Sequence, residues 1–333
     1  MAAGVVSVAP AMSPVRRRRI LIEHLQAYLF LLPALGLIGL FKIFPTFFAL
    51  YISLFRWDVV QGAFRGLDNY ADILFANPTR AEQFWRSLST TFTFALLTVP
   101  LTMAAALTVA VLLFKPIRGR SFYRTLFYLP YVTSLVAAAT IFSYIFHPNF
   151  GIVNEVLGLV GIGPQHWFNE PHGLFELIFS AAGVTLPDWA WGPSLALIGV
   201  AIFNIWHFFG FQVVIFMAGL GNISPEYYEA ARLDGASERQ IFTKITLPLL
   251  SPTTFFVFTI AMIGTLRAFE SIYVMTNGGP LDTTRTTTML IFRTFFQQTQ
   301  LGLGSAMAFL LTLIILLFTL IQFRVLGRRV HYS

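Results

Sequence analysis

The chain has 333 residues, 56% of them hydrophobic and only 11% charged, with 36 phenylalanines and a formal net charge of +7. A water-soluble domain carries about 25% charged residues; so few charges cannot cover a soluble surface, and lipid is the expected solvent. There is no cysteine, which excludes disulfides, thiolate metal sites and cysteine nucleophiles, and the basic residues are scattered between apolar runs rather than gathered as a nucleic-acid surface requires.

In chain order, residues 1–24 read as a disordered N-terminal tail with arginines at 16–19. A basic stretch also begins a signal peptide, but the apolar run that follows, 25–54, is too long for a signal core, and no small-residue cleavage site follows it. A retained first span is expected. Six stretches reach the roughly 20 apolar residues needed to cross a bilayer: 26–52, 88–114, 125–146, 194–220, 252–276 and 303–326. Pro33 and Pro45 fall in the first and Pro100 in the second; neighbouring helices can re-satisfy the carbonyls that proline frees. The apolar stretch 174–184, between Pro171 and Pro187, is too short to cross and is expected as an interfacial helix in a long outer loop. The expected fold is all-α and polytopic: one membrane domain over 25–327, then a short tail, 328–333.

The basic residues divide unequally between the two sides. With a cytoplasmic N-terminus, the inner segments hold the arginines at 16–19, then Lys115, Arg118, Arg120 and Arg124, then Arg232, Arg239 and Lys244, then Arg324, Arg328 and Arg329. The outer segments hold Arg56, Arg65, Arg80, Arg86, Arg285 and Arg293. An excess on one side is the positive-inside pattern, and it puts both termini in the cytoplasm.

The most informative stretch is the loop 221–250. Ser224 is placed to N-cap a helix, with Pro225 at its first position and Glu226 behind it. That helix is expected to run to about Asp234, where Gly235 takes a left-handed C′ conformation. Ser237 and Gln240 form a capping box for a second short helix, which Pro248 is expected to end. Ala230 and Ala231 lie beside Tyr227 and Tyr228 and let another surface approach closely. Glu229, Arg232, Asp234 and Glu238 supply charge around that contact. A loop capped twice is rigid enough to be gripped.

Here a resemblance becomes specific. Glu229, Ala230 and Ala231, then Asp234, Gly235 and Ala236, then Phe242, Ile245, Leu247, Pro248 and Pro252 resemble the EAA motif of bacterial ABC importer permeases, closest to the carbohydrate-uptake group that includes the maltose and glycerol-phosphate permeases. AYLFLLP at 27–33, FP at 44–45 and SLF at 53–55 are similar to that group's first span; GLDNY at 66–70 resembles its GL-x-N-Y loop, and GIVN at 151–154 follows the third span as in the family. TNGGP at 276–280, with Thr284 and Thr286 beyond, resembles the T-x-GGP loop of the maltose-F-like half of the permease pair. The resemblance implies a type I ABC importer permease fold and a subunit that is not an enzyme and holds no cofactor or metal. It implies a second homologous permease subunit, two ATPase subunits that use ATP and Mg, an extracytoplasmic solute-binding protein, and inward passage of a sugar or sugar-like polyol. Carried over by position, Glu229, Ala230, Ala231, Asp234, Gly235 and Ala236 are the expected ATPase-coupling residues.

Ionisable groups at bilayer depth cost about 2.5–3.5 kcal/mol on insertion scales, so each needs a reason. Arg267 and Glu270, at i, i+3, are expected to pair on one helix face, either as a structural ion pair or as a substrate-contacting or gating pair. In the fourth span Asn204, His207 and Gln212 offer groups that could bond sugar hydroxyls or bridge helices. Asn204 and His207 share a face at i, i+3, whereas Trp206 is turned roughly 200° from Asn204. Tyr273, Ser271 and Thr265 are further candidates for the same path, and Lys42 in the first span can snorkel. No G-x-x-x-x-G-K-[ST] loop occurs, so nucleotide hydrolysis has to come from another polypeptide; the protease motifs G-x-S-x-G and H-E-x-x-H are also missing. The remaining rival is an ion-coupled secondary transporter, which would show inverted repeats and broken helices and would leave the capped loop unexplained.

Overall fold

A computed structural model describes residues 14–187 and 190–327; 1–13 and 328–333, with Arg328 and Arg329, lie outside the described residues. Helix begins at Pro14, inside the segment expected as a tail. Four helical stretches are long and apolar enough to cross a membrane: Ile22–Ser53, Pro78–Phe114, Leu195–Gly221 and Leu301–Val325. Two further pairs make six crossings if each bent pair is one span. The only paired strands among the described residues, Phe55–Trp57 and Gln61–Phe64, form a small hairpin after the first span.

The bent pairs correct two expectations. The third span is two helices, Arg120–Val132 and Leu135–Ile145, meeting at 93°. Pro130 weakens the end of the first, and Ser134 caps the second by accepting from the Ala137 N–H, so Thr133 and Ser134 make a stop and a restart. The fifth span, Ser251–Leu266, stops short of 276 and is preceded at 62° by the run Glu238–Leu249. Pro248 does not end that run. The π turn Phe242–Thr246 lets the Leu247 N–H reach the Phe242 carbonyl, and the chain passes through Pro248 before turning at Leu250.

Pro78–Phe114 is the centre of the bundle. Near its end Ala106, Ala110 and Leu113 pack with Val213, Phe216 and Leu220 of the fourth span and with Leu250 and Val257 at the start of the fifth. Near its beginning Phe84 and Leu88 pack with Leu290 and with Leu303 and Met307 of the last helix. These two clusters define opposite ends of the molecule; the first, which Tyr228 joins, is the loop end. Small residues allow the closest crossings. A Cβ at Gly210 would lie 1.8 Å from the Phe127 carbonyl oxygen, and one at Gly302 would lie 2.2 Å from that of Phe55. The first span differs: the apolar window of Ile22–Ser53 buries nothing within this chain. A helix apolar all round belongs in lipid or against another subunit.

Two motifs of the resemblance turn out to be fasteners. The buried Asn69 amide donates to the carbonyls of Ser53 (2.8 Å) and Phe55 (2.9 Å), and Tyr70 Oη meets Ser53 Oγ at 2.6 Å, so GLDNY locks the end of the first span. Asn154 does the same for the loop that follows the third span, donating to the Pro148 and Gln165 carbonyls and accepting from Trp167 Nε1 at 2.7 Å. Asn69→Ala leaves two carbonyls without their donor, a loss of about 1–3 kcal/mol. It is expected to lower the unfolding temperature of the detergent-purified protein; an unchanged melting curve would contradict the fastener role.

Candidate functional site

The loop hairpin forms as its capping residues dictate. Ser224 accepts from the Glu226 N–H, and the helix Pro225–Leu233 follows. It closes on a Schellman motif: the Ala236 N–H reaches the Ala231 carbonyl (2.9 Å) and the Gly235 N–H that of Arg232 (3.1 Å), with Gly235 at φ +74°. A Cβ at Gly235 would meet nothing within 4 Å, so backbone conformation alone calls for glycine there. Ser237 and Gln240 complete the capping box. Tyr228 packs inward, its hydroxyl accepting from Thr246 Oγ1 at 3.4 Å, and Arg232 meets Glu238 at 3.6 Å across the turn. Glu226, Glu229, Ala230 and Leu233 fall on the opposite side by their spacing and are exposed. Leu233 is 88% exposed, and the capping and charge pattern had not singled it out. Glu229, Ala230, Asp234 and Gly235 are likewise open to a partner, while Ala231 and Ala236 are half-buried.

The second site is a cavity of about 250 Å³ between spans two, three, four and five. The break in the third span opens onto it, flanked by Tyr131 and Leu135, and so does a second interruption, after the helix Ser251–Leu266, where Arg267, Ala268 and Phe269 precede the helix Glu270–Met275. Asn204, Gln212, Arg267 and Glu270 are thus brought together as expected, with Ser271 and Thr265. Two expectations fail. His207 and Tyr273 are not in the wall: His207 is buried against Phe203 and Phe208, and Tyr273 stacks on Phe269, which is in the wall, without lining the cavity itself. Nor do Arg267 and Glu270 pair. The helix ends at Leu266 and restarts at Glu270, so i, i+3 spacing no longer sets them side by side, and no ion pair joins them among the described residues.

The wall chemistry is mixed. Asn204 Nδ2 donates to the Val200 carbonyl and to Ser271 Oγ, both at 3.0 Å. Gln212 is 6% exposed, and its Oε1 has no hydrogen-bond partner. Thr98 and Thr102 donate back to their own helix and keep oxygen lone pairs for an acceptor role. Tyr131 stacks on Phe211 at 4.6 Å, 20° from parallel, and with Phe208 and Phe269 gives the cavity aromatic surface. Thr98, Thr102, Tyr131 and Phe211 were not among the expected residues. Their helical spacing is that of any packed apolar face, and only the tertiary fold turns them inward.

At the end away from the loop hairpin, Asp282 receives Arg285 at 2.7 Å and Arg293 at 2.9 Å, bracing a turn in which Asn277, Leu281 and Asp282 all have positive φ. In the loop between spans three and four, His172 Nδ1 contacts Glu170 Oε1. That hydrogen bond raises the His172 pKa above its ordinary 6.5, outweighing the opposing desolvation. A raised folded pKa contributes stability that is complete below about 6.5 and lost as pH climbs through the raised value. Protection of the amides in residues 166–187, taken as the exchange rate relative to the intrinsic rate at each pH, is therefore expected to fall above that point, and Glu170→Gln to remove the fall; protection that stays constant with pH in the parent protein would contradict it.

A mostly helical bundle with a cavity of mixed polar and aromatic wall between broken helices, and a capped hairpin projecting from one end, is the build of a membrane solute permease. The chain belongs to the family of binding-protein-dependent transport system inner membrane components, which matches residues 69–332, and is a permease subunit of the ABC importer class. It is 35% identical to the "Probable ABC transporter permease protein YesP" of Bacillus subtilis, over 96% of each chain. It is 30% identical to the "Trehalose/maltose transport system permease protein MalF" of Thermococcus litoralis, over 91% of this chain and 94% of that one. In fold it matches a chain of a bacterial alginate ABC transporter crystallised in complex with alginate pentasaccharide-bound periplasmic protein, with a TM-score of 0.74 at 20% identity, covering 95% of this chain and 98% of that chain. The broken helices that the secondary-transporter reading would require are present after all, but in a chain of this family.

Proposed function

We propose that this subunit conducts a neutral sugar or sugar-like polyol inward, driven by separate ATPase subunits that seat on the helix Pro225–Leu233. The observation that carries the reading is the doubly capped hairpin holding Leu233 out at 88% exposure. An apolar side chain fixed at the end of a rigid, polar helix is a contact awaiting its other half. In this reading the loop end is cytoplasmic, as the distribution of basic residues supports, and both termini lie there. A second related permease covers the exposed first span, two ATPases use ATP and Mg below the hairpins, and a solute-binding protein delivers from outside. Closure of the ATPases would swing the bundle between two access states as a rigid-body switch.

The cavity supports a polyhydroxylated solute. Aromatic faces suit sugar C–H surfaces, and amides and hydroxyls suit sugar hydroxyls. Arg267 and Glu270 supply one charge of each sign, which favours a neutral solute over a phosphate. The test is uptake into proteoliposomes holding the full complex. Transport is expected to need ATP, the ATPases and the binding protein, and to ignore collapse of ion gradients; dependence on an ion gradient with no need for ATP would overturn the reading. Gln212→Leu is expected to reduce sugar uptake about tenfold through one lost hydrogen bond of roughly 1.4 kcal/mol. Full uptake by that variant would remove Gln212 from the path.

A further inference from the structure

We propose that Thr286, which lies outside the cavity, is a positioning residue for transport, because its hydroxyl holds the broken backbone of the fifth span in the shape that forms the cavity wall. The inference rests on the cavity being the solute path. The helix stops at Leu266 and restarts at Glu270, and Thr286 Oγ1 donates to the Ala268 carbonyl in the gap at 3.2 Å. Thr286 is fully buried, whereas Ala268 and its neighbours Arg267, Phe269, Glu270 and Ser271 all line the cavity. A part-buried carbonyl outside the helical ladder needs a donor, and this one comes from a distant segment.

That segment is itself held firmly. Thr284 Oγ1 donates to the Gly279 carbonyl at 2.7 Å and meets Thr276 Oγ1 at the same distance. The Thr287 N–H donates to Thr91 Oγ1 of the second span at 2.9 Å, and Phe292 packs on Phe269 with ring centroids 4.8 Å apart. The loop 276–293 is therefore anchored to the centre of the bundle, and Thr286 carries that anchorage to the break. Shape at the break decides where Arg267 and Glu270 stand in the wall.

The experiment uses the assembled transporter in membrane vesicles, and exploits a chain without cysteine. Thr265→Cys places one thiol in the cavity wall, and its modification by a small impermeant thiol reagent is followed on this subunit beside the KM and maximal rate of uptake. Thr286→Val keeps the shape of the side chain without the hydroxyl. It is expected to raise KM about tenfold with a smaller change in maximal rate, and to change the labelling rate severalfold; Thr286→Ser should restore both. Thr288→Val, which removes a buried hydroxyl of the same segment that bonds to nothing, should leave the labelling rate unchanged. Unchanged KM and labelling in Thr286→Val, or the same change in Thr288→Val, overturns the proposal. Should Thr286→Val fail to accumulate, Thr286→Ala takes its place; loss of both while Thr286→Ser persists would mean a role in folding alone and also overturns it. Labelling does not depend on which solute is carried, so a failed sugar assignment and a failed latch give different results.

Discussion

Gly210→Leu is expected to abolish accumulation of the folded subunit in the membrane, and Gly210→Ala to reduce it sharply. The reason is the atom that a side chain would meet. A Cβ at 210 would sit 1.8 Å from the Phe127 carbonyl oxygen and 3.1 Å from Tyr128 Cα. These are backbone atoms, so no rotamer change makes room, and the helices Arg120–Val132 and Leu195–Gly221 would have to separate. Overpacking costs about 1–3 kcal/mol even where side chains can adjust, and separation here also loosens Tyr131 from Phe211 at the cavity wall. The measure is the amount of monodisperse protein extracted in detergent. Gly158→Ala is the control, since a Cβ there meets nothing within 4 Å; normal yield of Gly210→Leu would refute the close crossing.

Leu233→Asp is expected to uncouple the subunit while leaving its own fold intact. With 88% of its surface open, Leu233 contributes almost nothing to this chain. If it seats in an ATPase cleft, burying it is worth about 1.5–3 kcal/mol, equivalent to roughly 10–100-fold in affinity, and a carboxylate in its place adds a desolvation cost. Binding of the purified ATPase to the reconstituted permease should weaken by at least about tenfold, and uptake should fall with it. Gly235→Val is a useful companion: it strains the left-handed turn at φ +74° by about 1–2 kcal/mol but leaves Leu233 in place, so it should impair coupling less. Wild-type ATPase affinity in Leu233→Asp would show that the hairpin is not the handle.

Much of the site was legible locally because capping is local. Ser224, Gly235, Ser237 and Gln240 each act on backbone groups within five residues, so their pattern specified the hairpin before any tertiary contact was known. Pro248 misled for an instructive reason. A proline ends a helix when its missing N–H goes uncompensated, and here a π turn one step earlier shifted the ladder. The cavity was only half legible. Asn204, Gln212, Arg267 and Glu270 stood out because polar groups in apolar runs are costly, but cost does not tell direction. His207 has the same local signature as Asn204, yet it packs among Phe203 and Phe208, while Tyr131, which no local pattern marks, lines the cavity.

By itself the sequence determined that this chain lives in lipid, roughly where it crosses, and that a stiff hairpin stands between the fourth and fifth crossings. Hydropathy and helix caps are short-range quantities, summed over about 20 residues in the first case and over one turn in the second. Only the tertiary structure decided where the third helix breaks and that the fifth stops at Leu266 and restarts at Glu270, that these two interruptions meet on one cavity, and that Thr286 caps the Ala268 carbonyl from 18 residues away. In a bilayer every backbone group must find a partner, and when a helix breaks that partner comes from whichever segment the fold brings alongside, which no local pattern can name.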